Sequence, residues 1–248
     1  MTFPFQILKL QFDHFPVRDN PANFLRGNLG AALRRFCDCE NPKACPRLGC
    51  DYGRIFDPPR DTEAPSGLRD PLRPFVLRGA NPKRFELNVF DSSADRIVRA
   101  WCPSAWEVQP MVLDLTPSPL KTKFLTIDFL SPTDLRTFPP SFATLFARAR
   151  DRVSTLRATY GPGPLEIDFR ALGELASGVS TESCDLQQVE IFRRSASNGR
   201  IHPLGGFTGT IVYSGEFSEL YPILYAGQYT GVGRKTVWGN GHYQIRFL

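Results

Sequence analysis

The run Gly231-Val232-Gly233-Arg234-Lys235-Thr236-Val237-Trp238-Gly239-Asn240-Gly241 sets two adjacent cations between two Gly-x-Gly pairs. Glycine leaves the backbone bare and tolerates positive φ, so such a loop can close its N–H groups on an anion. Arg234 and Lys235 supply the opposite charge, and Gly231, Gly233, Gly239 and Gly241 become candidate contacts to a phosphate backbone. The same glycines also suit the tight turns of a β-hairpin loop. The pattern is not that of a P-loop, whose lysine follows a different spacing and precedes a helix. Here an alternating strand follows instead, His242 to Leu248, with His242, Gln244 and Arg246 on one face. Arg246 therefore joins the candidate contacts to a phosphate backbone.

Other cations fall on helices. A helix cap at Asp19-Asn20-Pro21 predicts a helix to about Phe36. At 100° per residue, Leu25, Leu29, Ala32 and Phe36 form its core stripe and Leu33 its edge. The opposite face carries Arg26, Gly27, Gly30 and Arg34, two arginines beside a strip without bulky side chains. A polyanion can approach such a face, and so can plain solvent. On a second helix, after Pro139-Pro140-Ser141, Arg148 and Arg152 flank one side of the apolar stripe and Arg150 and Arg157 the other, so at most one pair faces a bound polyanion. Arg193 and Arg194 add a further basic pair. Cys37, Cys39, Cys45 and Cys50 fall within fourteen residues. They read either as a four-thiolate structural zinc site or as partly buried thiols, because the spacing lacks two clean Cys-x-x-Cys knuckles.

The elements that must position these groups repeat. In the first half, strands are expected at Phe5–Phe12, Phe75–Leu77, Phe85–Phe90 and Val108–Leu115, with residues 57–74 a proline-rich loop. In the second, strands are expected at Phe124–Phe129, Leu165–Phe169, Val189–Arg193 and Phe207–Ser214. The Ser141–Arg157 helix carries Phe142, Leu145, Phe146, Ala149, Val153 and Leu156 on one face, and another helix is expected near Phe217–Ala226. Strand–helix–strand–strand–helix–strand, twice over, predicts an α+β fold of tandem ferredoxin-like (RRM-like) domains, 1–117 and 118–248, ending in the Gly-rich loop.

With 248 residues and 42% hydrophobic ones, the chain can build one large or two small cores. Thirty Lys and Arg against 25 Asp and Glu give a net charge of +5, a modest cationic excess. Arginine greatly outnumbers lysine, and its planar fork suits phosphates and stacked bases. No signal peptide is read in the first residues and no apolar run approaches the roughly 18 residues of a membrane span. A cytoplasmic protein without a membrane partner is expected, and six cysteines there argue against a disulfide framework.

Together, Gly205-Gly206-Phe207-Thr208-Gly209-Thr210, the paired Gly-x-Gly loop and the tyrosine-containing last strand resemble the CRISPR precursor-RNA processing endoribonuclease of the repeat-associated RNA-binding (RAMP) superfamily. Phe24-Leu25-Arg26-Gly27-Asn28-Leu29-Gly30 and Cys50-Asp51-Tyr52-Gly53-Arg54-Ile55-Phe56 agree with it. The resemblance implies metal-independent cleavage of a repeat RNA hairpin, no catalytic cofactor, product retention, and association with other subunits of a CRISPR ribonucleoprotein. A ribose 2′-hydroxyl would attack the adjacent phosphate, leaving a 2′,3′-cyclic phosphate. Many members place a histidine near the first helix, and this chain departs from that. Its three histidines are His14, His202 and His242. His14 and His202, at strand ends, are the candidate general bases, each with a structural reading beside it. Arg26 and Arg34 are the alternative catalytic pair, able to stabilise a phosphorane but not to shuttle protons. A non-catalytic RNA-binding subunit of a CRISPR effector complex is the competing function.

Overall fold

Strand β1 (Thr2–Gln11) alternates, sending Phe3, Phe5 and Ile7 to one side and Leu8 and Leu10 to the other. Both sets are buried, which makes the first sheet a middle layer and not a half-exposed one. The computed structural model describes residues 1–12, 21–37, 50–58, 72–80, 84–194 and 199–247. After β1 come α1 (Pro21–Arg35), a π-turn over Tyr52–Phe56, β2 (Phe75–Ala80), β3 (Arg84–Val89), α2 (Ala94–Trp101) and β4 (Ala105–Asp114). The second half adds β5 (Phe124–Thr133), α3 (Phe142–Tyr160), α4 (Phe169–Ser177), β6 (Ser180–Val189), β7 (Phe192–Arg194) and β8 (Ile201–Pro203). It closes with β9 (Gly206–Ser214), α5 (Tyr221–Thr230), a 3₁₀ turn over Thr236–Trp238, and β10 (Tyr243–Phe247).

The two antiparallel sheets run β2-β3-β1-β4 and β10-β5-β9-β6, the same order in each half. This is the tandem ferredoxin-like arrangement, with β7 and β8 inserted as a hairpin. Leu8, Leu10, Leu25, Leu29 and Leu33 share one core with α2. Phe3, Phe5, Ile7, Phe90 and Leu113 instead join the apolar stripe of α3 and the inner face of α5. The second half's helices thus cover the face of the first sheet that α1 leaves open. Polar contacts pin the same seam: Arg157 Nε donates to the Thr2 carbonyl at 2.8 Å, and Asn88 Nδ2 donates to the Tyr229 carbonyl at 2.7 Å. Full burial of each such Phe or Ile contributes about 1.5–3 kcal/mol, so the halves are held in a fixed relation. Among the described residues no helix is long and apolar enough to cross a membrane.

Two expected elements are corrected. Leu165–Phe169 is not a strand: Asp168 caps α4, its carboxylate accepting the N–H groups of Arg170 at 3.0 Å and Ala171 at 2.9 Å. The expected strand Val189–Arg193 is the end of one strand and the start of another. β6 is an edge strand, exposed along most of its length, so it carries no periodic apolar signal and is held by its ladder to β9. Phe36, assigned to the core stripe of α1, is 60% exposed, while Leu33 is buried in its place. The proposed loop 57–74 and the cap at Asp19-Asn20 lie wholly or largely outside the described residues.

Candidate nucleic-acid interface and active site

All four glycines of the C-terminal loop have positive φ, from 68° at Gly231 to 84° at Gly239. Their first task is packing. A Cβ on Gly241 would stand 2.0 Å from the Val232 carbonyl, one on Gly233 2.4 Å from that of Asp134, and one on Gly239 2.6 Å from Ala22 of α1. The loop's N–H groups at Val232, Arg234, Trp238, Gly239 and Gly241 are all donated to protein carbonyls. The expected cradle of backbone amides is therefore largely occupied. Arg234 and Lys235 are also tethered: Arg234 Nε donates to Asp134 Oδ2 at 2.9 Å and Lys235 Nζ to the same oxygen at 3.3 Å. Arg234 still has half its side chain in solvent.

What the loop delivers is Trp238. The Arg26 guanidinium is sandwiched between that ring, 4.2 Å away, and the ring of Phe56, 4.4 Å away. Gly30 makes this possible, because a Cβ there would meet the Phe56 ring at 2.6 Å. The glycine strip on α1 is thus covered at Gly30 and open only at Gly27, where nothing lies within 4 Å. Arg26 itself is 8% exposed, not on an open face as its helical angle implied. Its Nε meets no acceptor and it forms no ion pair among the described residues. Burial, then the guanidinium groups of Arg73 and Arg193, push its pKa down to about 9, so it stays charged at neutral pH. Arg34 is exposed and lies over the Tyr52 ring at 4.4 Å, donating to the Tyr52 hydroxyl at 2.8 Å. Tyr52 was visible in sequence only within the quoted family run.

The β7–β8 hairpin brings in the rest. Arg193 lies 5.8 Å from the Trp238 ring centroid, and His202 is its direct cross-strand partner, which puts both side chains on one face of the hairpin. His14, Cys39 and Cys45 lie outside the described residues, as does the side chain of Arg194. Cys37 and Cys50 are partly buried and in no disulfide, with the Gly53 N–H 3.3 Å from Cys50 Sγ. Among the described residues no three potential metal ligands cluster.

Several cations assigned to RNA stand elsewhere. Arg148 is exposed on α3, but Arg152 is buried, its Nε donating to the Thr230 carbonyl at 2.7 Å, and burial pushes its pKa down to about 10. It ties α3 to the end of α5 and cannot meet a polyanion. Arg246 does reach the outer face of the second sheet, yet its fork is engaged by Asp128, one arm at 2.9 Å. A bidentate carboxylate leaves little of that charge for phosphate.

One partly buried pair escaped sequence reading. Arg78 of β2 donates to His242 Nε2 at 2.8 Å, and since arginine only donates, that nitrogen is unprotonated. Burial and then the Arg78 charge push the His242 pKa from 6.5 to about 4. The unfolded chain therefore takes up this proton first as pH falls, so the contribution is complete above 6.5 and is lost from 6.5 toward 4. One pKa unit corresponds to about 1.4 kcal/mol. Urea melts should lose roughly 2 kcal/mol more between pH 7 and 5 in the native protein than in His242→Gln, which keeps an acceptor without the titration.

The family model for the CRISPR-associated endoribonuclease Cas6 matches residues 127–243, which hold β5, α3, β9, α5 and the Gly-rich loop. A second model, described as an N-terminal domain, matches residues 8–90. No curated protein matches by sequence. The Cas6 structure from Thermus thermophilus (TTHB231) superposes with a TM-score of 0.58 at 20% identity, covering 99% of each chain. A Cas6 (TTHB231) product complex gives 0.58 at 20% over 98% of this chain and 100% of that one. A Cas6 (TTHA0078) product complex gives 0.57 at 16% over 98% and 99%. At these identities the superpositions establish the fold alone: the chain has the fold of Cas6 endoribonucleases from end to end, and its residues 127–243 match the Cas6 family model.

Proposed function

We propose that the protein cuts a CRISPR repeat RNA hairpin without metal, by attack of a ribose 2′-hydroxyl on the neighbouring phosphate. The products are a 2′,3′-cyclic phosphate and a 5′-hydroxyl, and the hairpin stays bound. The observation that carries this reading is the meeting of Arg26 and Arg193 at the Trp238 ring, with Arg73, itself 3.9 Å from Asp57, close enough to press on Arg26, so that positive charge outweighs that one carboxylate. Such a cluster repels itself until an anion arrives, and a phosphorane carries more negative charge than the phosphate it forms from. Arg193 and exposed Arg34 are the groups that reach the RNA, and Arg26 adds its field from behind Trp238. The general base is His202, beside Arg193 on the hairpin, with His14 as the other candidate. The Tyr52 hydroxyl, oriented by Arg34, is placed to protonate the leaving oxygen. Gly231, Gly233, Arg234 and Lys235 hold the RNA backbone through the loop's outer rim, helped by Arg148. If Cys37, Cys39, Cys45 and Cys50 hold a structural zinc in place of being partly buried thiols, that metal takes no part in the chemistry.

Fold relatives described as a Cas6 product complex, a Cas6 substrate mimic complex and a Cas6-RT-Cas1–Cas2 complex support repeat RNA and other CRISPR proteins as partners; the cytoplasm is the compartment proposed for this activity. Incubation with the cognate repeat RNA in EDTA tests the reading. Cleavage at one site is expected, and replacing the 2′-hydroxyl there by hydrogen should reduce it to background with binding intact. Undiminished cleavage of the deoxy substrate would overturn the mechanism. Tight binding without any cleavage would assign the chain to the non-catalytic RNA-binding role.

A further inference from the structure

We propose that a cavity beside Trp238 holds one unpaired nucleobase of the RNA, and that it favours a base presenting carbonyl oxygens over adenine. The proposal rests on the RNA-processing reading above. The cavity, of about 210 Å³, lies between the start of α1, β2, the end of β5 and the Gly-rich loop. It has room for a single base and not for a base pair. Leu25, Leu77, Phe85, Leu130, Pro132 and Ile191 give it apolar walls, suited to the faces of a flat ring. A phosphate placed there would lose its hydration against those walls with little in return.

Most of the side-chain polar groups on the walls are donors; the exception is Asn240, whose Nδ2 is given to the Leu204 carbonyl at 2.6 Å and whose Oδ1 is left to accept. Arg78 Nε and Trp238 Nε1 are both shut from solvent and meet no acceptor among the described residues. An unmatched buried N–H is costly, and a ligand oxygen relieves it. Arg78 is held by His242 through one terminal nitrogen and lies 5.0 Å from the Tyr229 ring centroid, which leaves Nε the arm to be matched by an occupant. With Nε2 of His242 accepting from Arg78, the ring's remaining proton sits on Nδ1, another donor. Ser131 Oγ accepts the His242 N–H at 2.9 Å and keeps its own hydrogen to give. Uracil O2 and O4, or guanine O6 and N7, match such a set, whereas the amino group of adenine sets donor against donor. Because the Trp238 ring is shared with Arg26 and Arg193, the captured base lies close to the phosphate being cut. Unstacking is cheapest for a nucleotide already unpaired, so the occupant comes from the single-stranded flank of the hairpin.

Equilibrium binding of repeat RNA carrying a 2′-deoxy cut site reads the pocket without cleavage. Each nucleotide within three of the cut is replaced in turn by an abasic residue, and by each other base. One position should lose about tenfold or more in affinity when abasic, and adenine there should bind more weakly than uracil or guanine. In Leu130→Trp, a half-exposed position at the cavity wall where the larger side chain should fold, and in Arg78→Met, the abasic change at that position should cost nothing further. If Leu130→Trp shows the same abasic losses as the native protein at every position, the pocket is wrong, and equal binding of adenine removes the carbonyl preference. A native protein that neither binds nor cuts repeat RNA overturns both readings. Native cutting with additive losses overturns the pocket alone.

Discussion

Replacing Arg26 with methionine is expected to slow single-turnover cleavage about a hundredfold, with the fold and the RNA affinity close to native. A preorganised charge that stabilises developing negative charge typically contributes around 3 kcal/mol in the transition state, and Arg26 supplies it as a field from behind Trp238 and not as a hydrogen-bond donor. Arg26 is well placed for this, because the rings of Phe56 and Trp238 exclude water and raise the worth of its charge. Methionine fills the same slot and keeps favourable sulfur–ring contacts, so Trp238 remains seated. No ion pair is lost among the described residues, and repulsion from Arg73 and Arg193 is relieved, so Tm should hold or rise slightly. Lysine should restore only part of the rate, since an ammonium cannot stack as a planar guanidinium does. Rate constants at saturating protein, beside a thermal melt, decide it. Native rates with a lowered Tm would make Arg26 a structural bridge and leave the transition-state charge to Arg193 and Arg34.

The helical wheel that singled out Arg26 could not have shown its burial. The wheel reports one helix against an assumed solvent, and what covers Arg26 comes from Trp238, 212 positions later in the numbering. Tyr52 and Phe56 reach α1 from a π-turn whose five-residue span has no apolar period to read. The same limit explains Arg246: its carboxylate lies on a neighbouring strand, and strand register is a tertiary fact. Arg193 and His202 were named as separate candidates, and only the hairpin register joins them. The glycines were legible as positions of positive φ but not as the reason for it, which is contact with Asp134, Val232 and Ala22.

More of the fold was readable, because it is written in periodicities. The α3 stripe of Phe142, Leu145, Phe146, Ala149, Val153 and Leu156 is buried throughout, and the expected strands account for the first sheet and for three of the four strands of the second. One signal was passed over: Ala94, Ile97, Val98 and Trp101 fall at helical spacing and form the buried side of α2. β6 offered no such signal, since an edge strand with a polar sequence forms by pairing alone.

Gly241→Val should be the most destabilising single change in the loop, with cleavage lost as a consequence. At φ 75° a β-branched residue is strained by about 1–3 kcal/mol. Its Cβ would also stand 2.0 Å from the Val232 carbonyl, so backbone must move, at a further cost of about 1–3 kcal/mol. Movement breaks a matched pair of bonds: the Gly241 carbonyl accepts the Val232 N–H at 2.9 Å, and the Gly241 N–H donates to Pro132 at 3.0 Å. Those bonds set the height at which the 3₁₀ turn presents Trp238 to Arg26, so the site is lost together with the loop's register. Gly27→Ala is the matched control, on open helix surface with nothing within 4 Å; it should be neutral or stabilise by about 0.5–1 kcal/mol. Denaturant melts of the two variants give the comparison. Equal midpoints for Gly241→Val and the native protein would mean that the loop tolerates a side chain there, and that its glycines are kept for the RNA and not for packing.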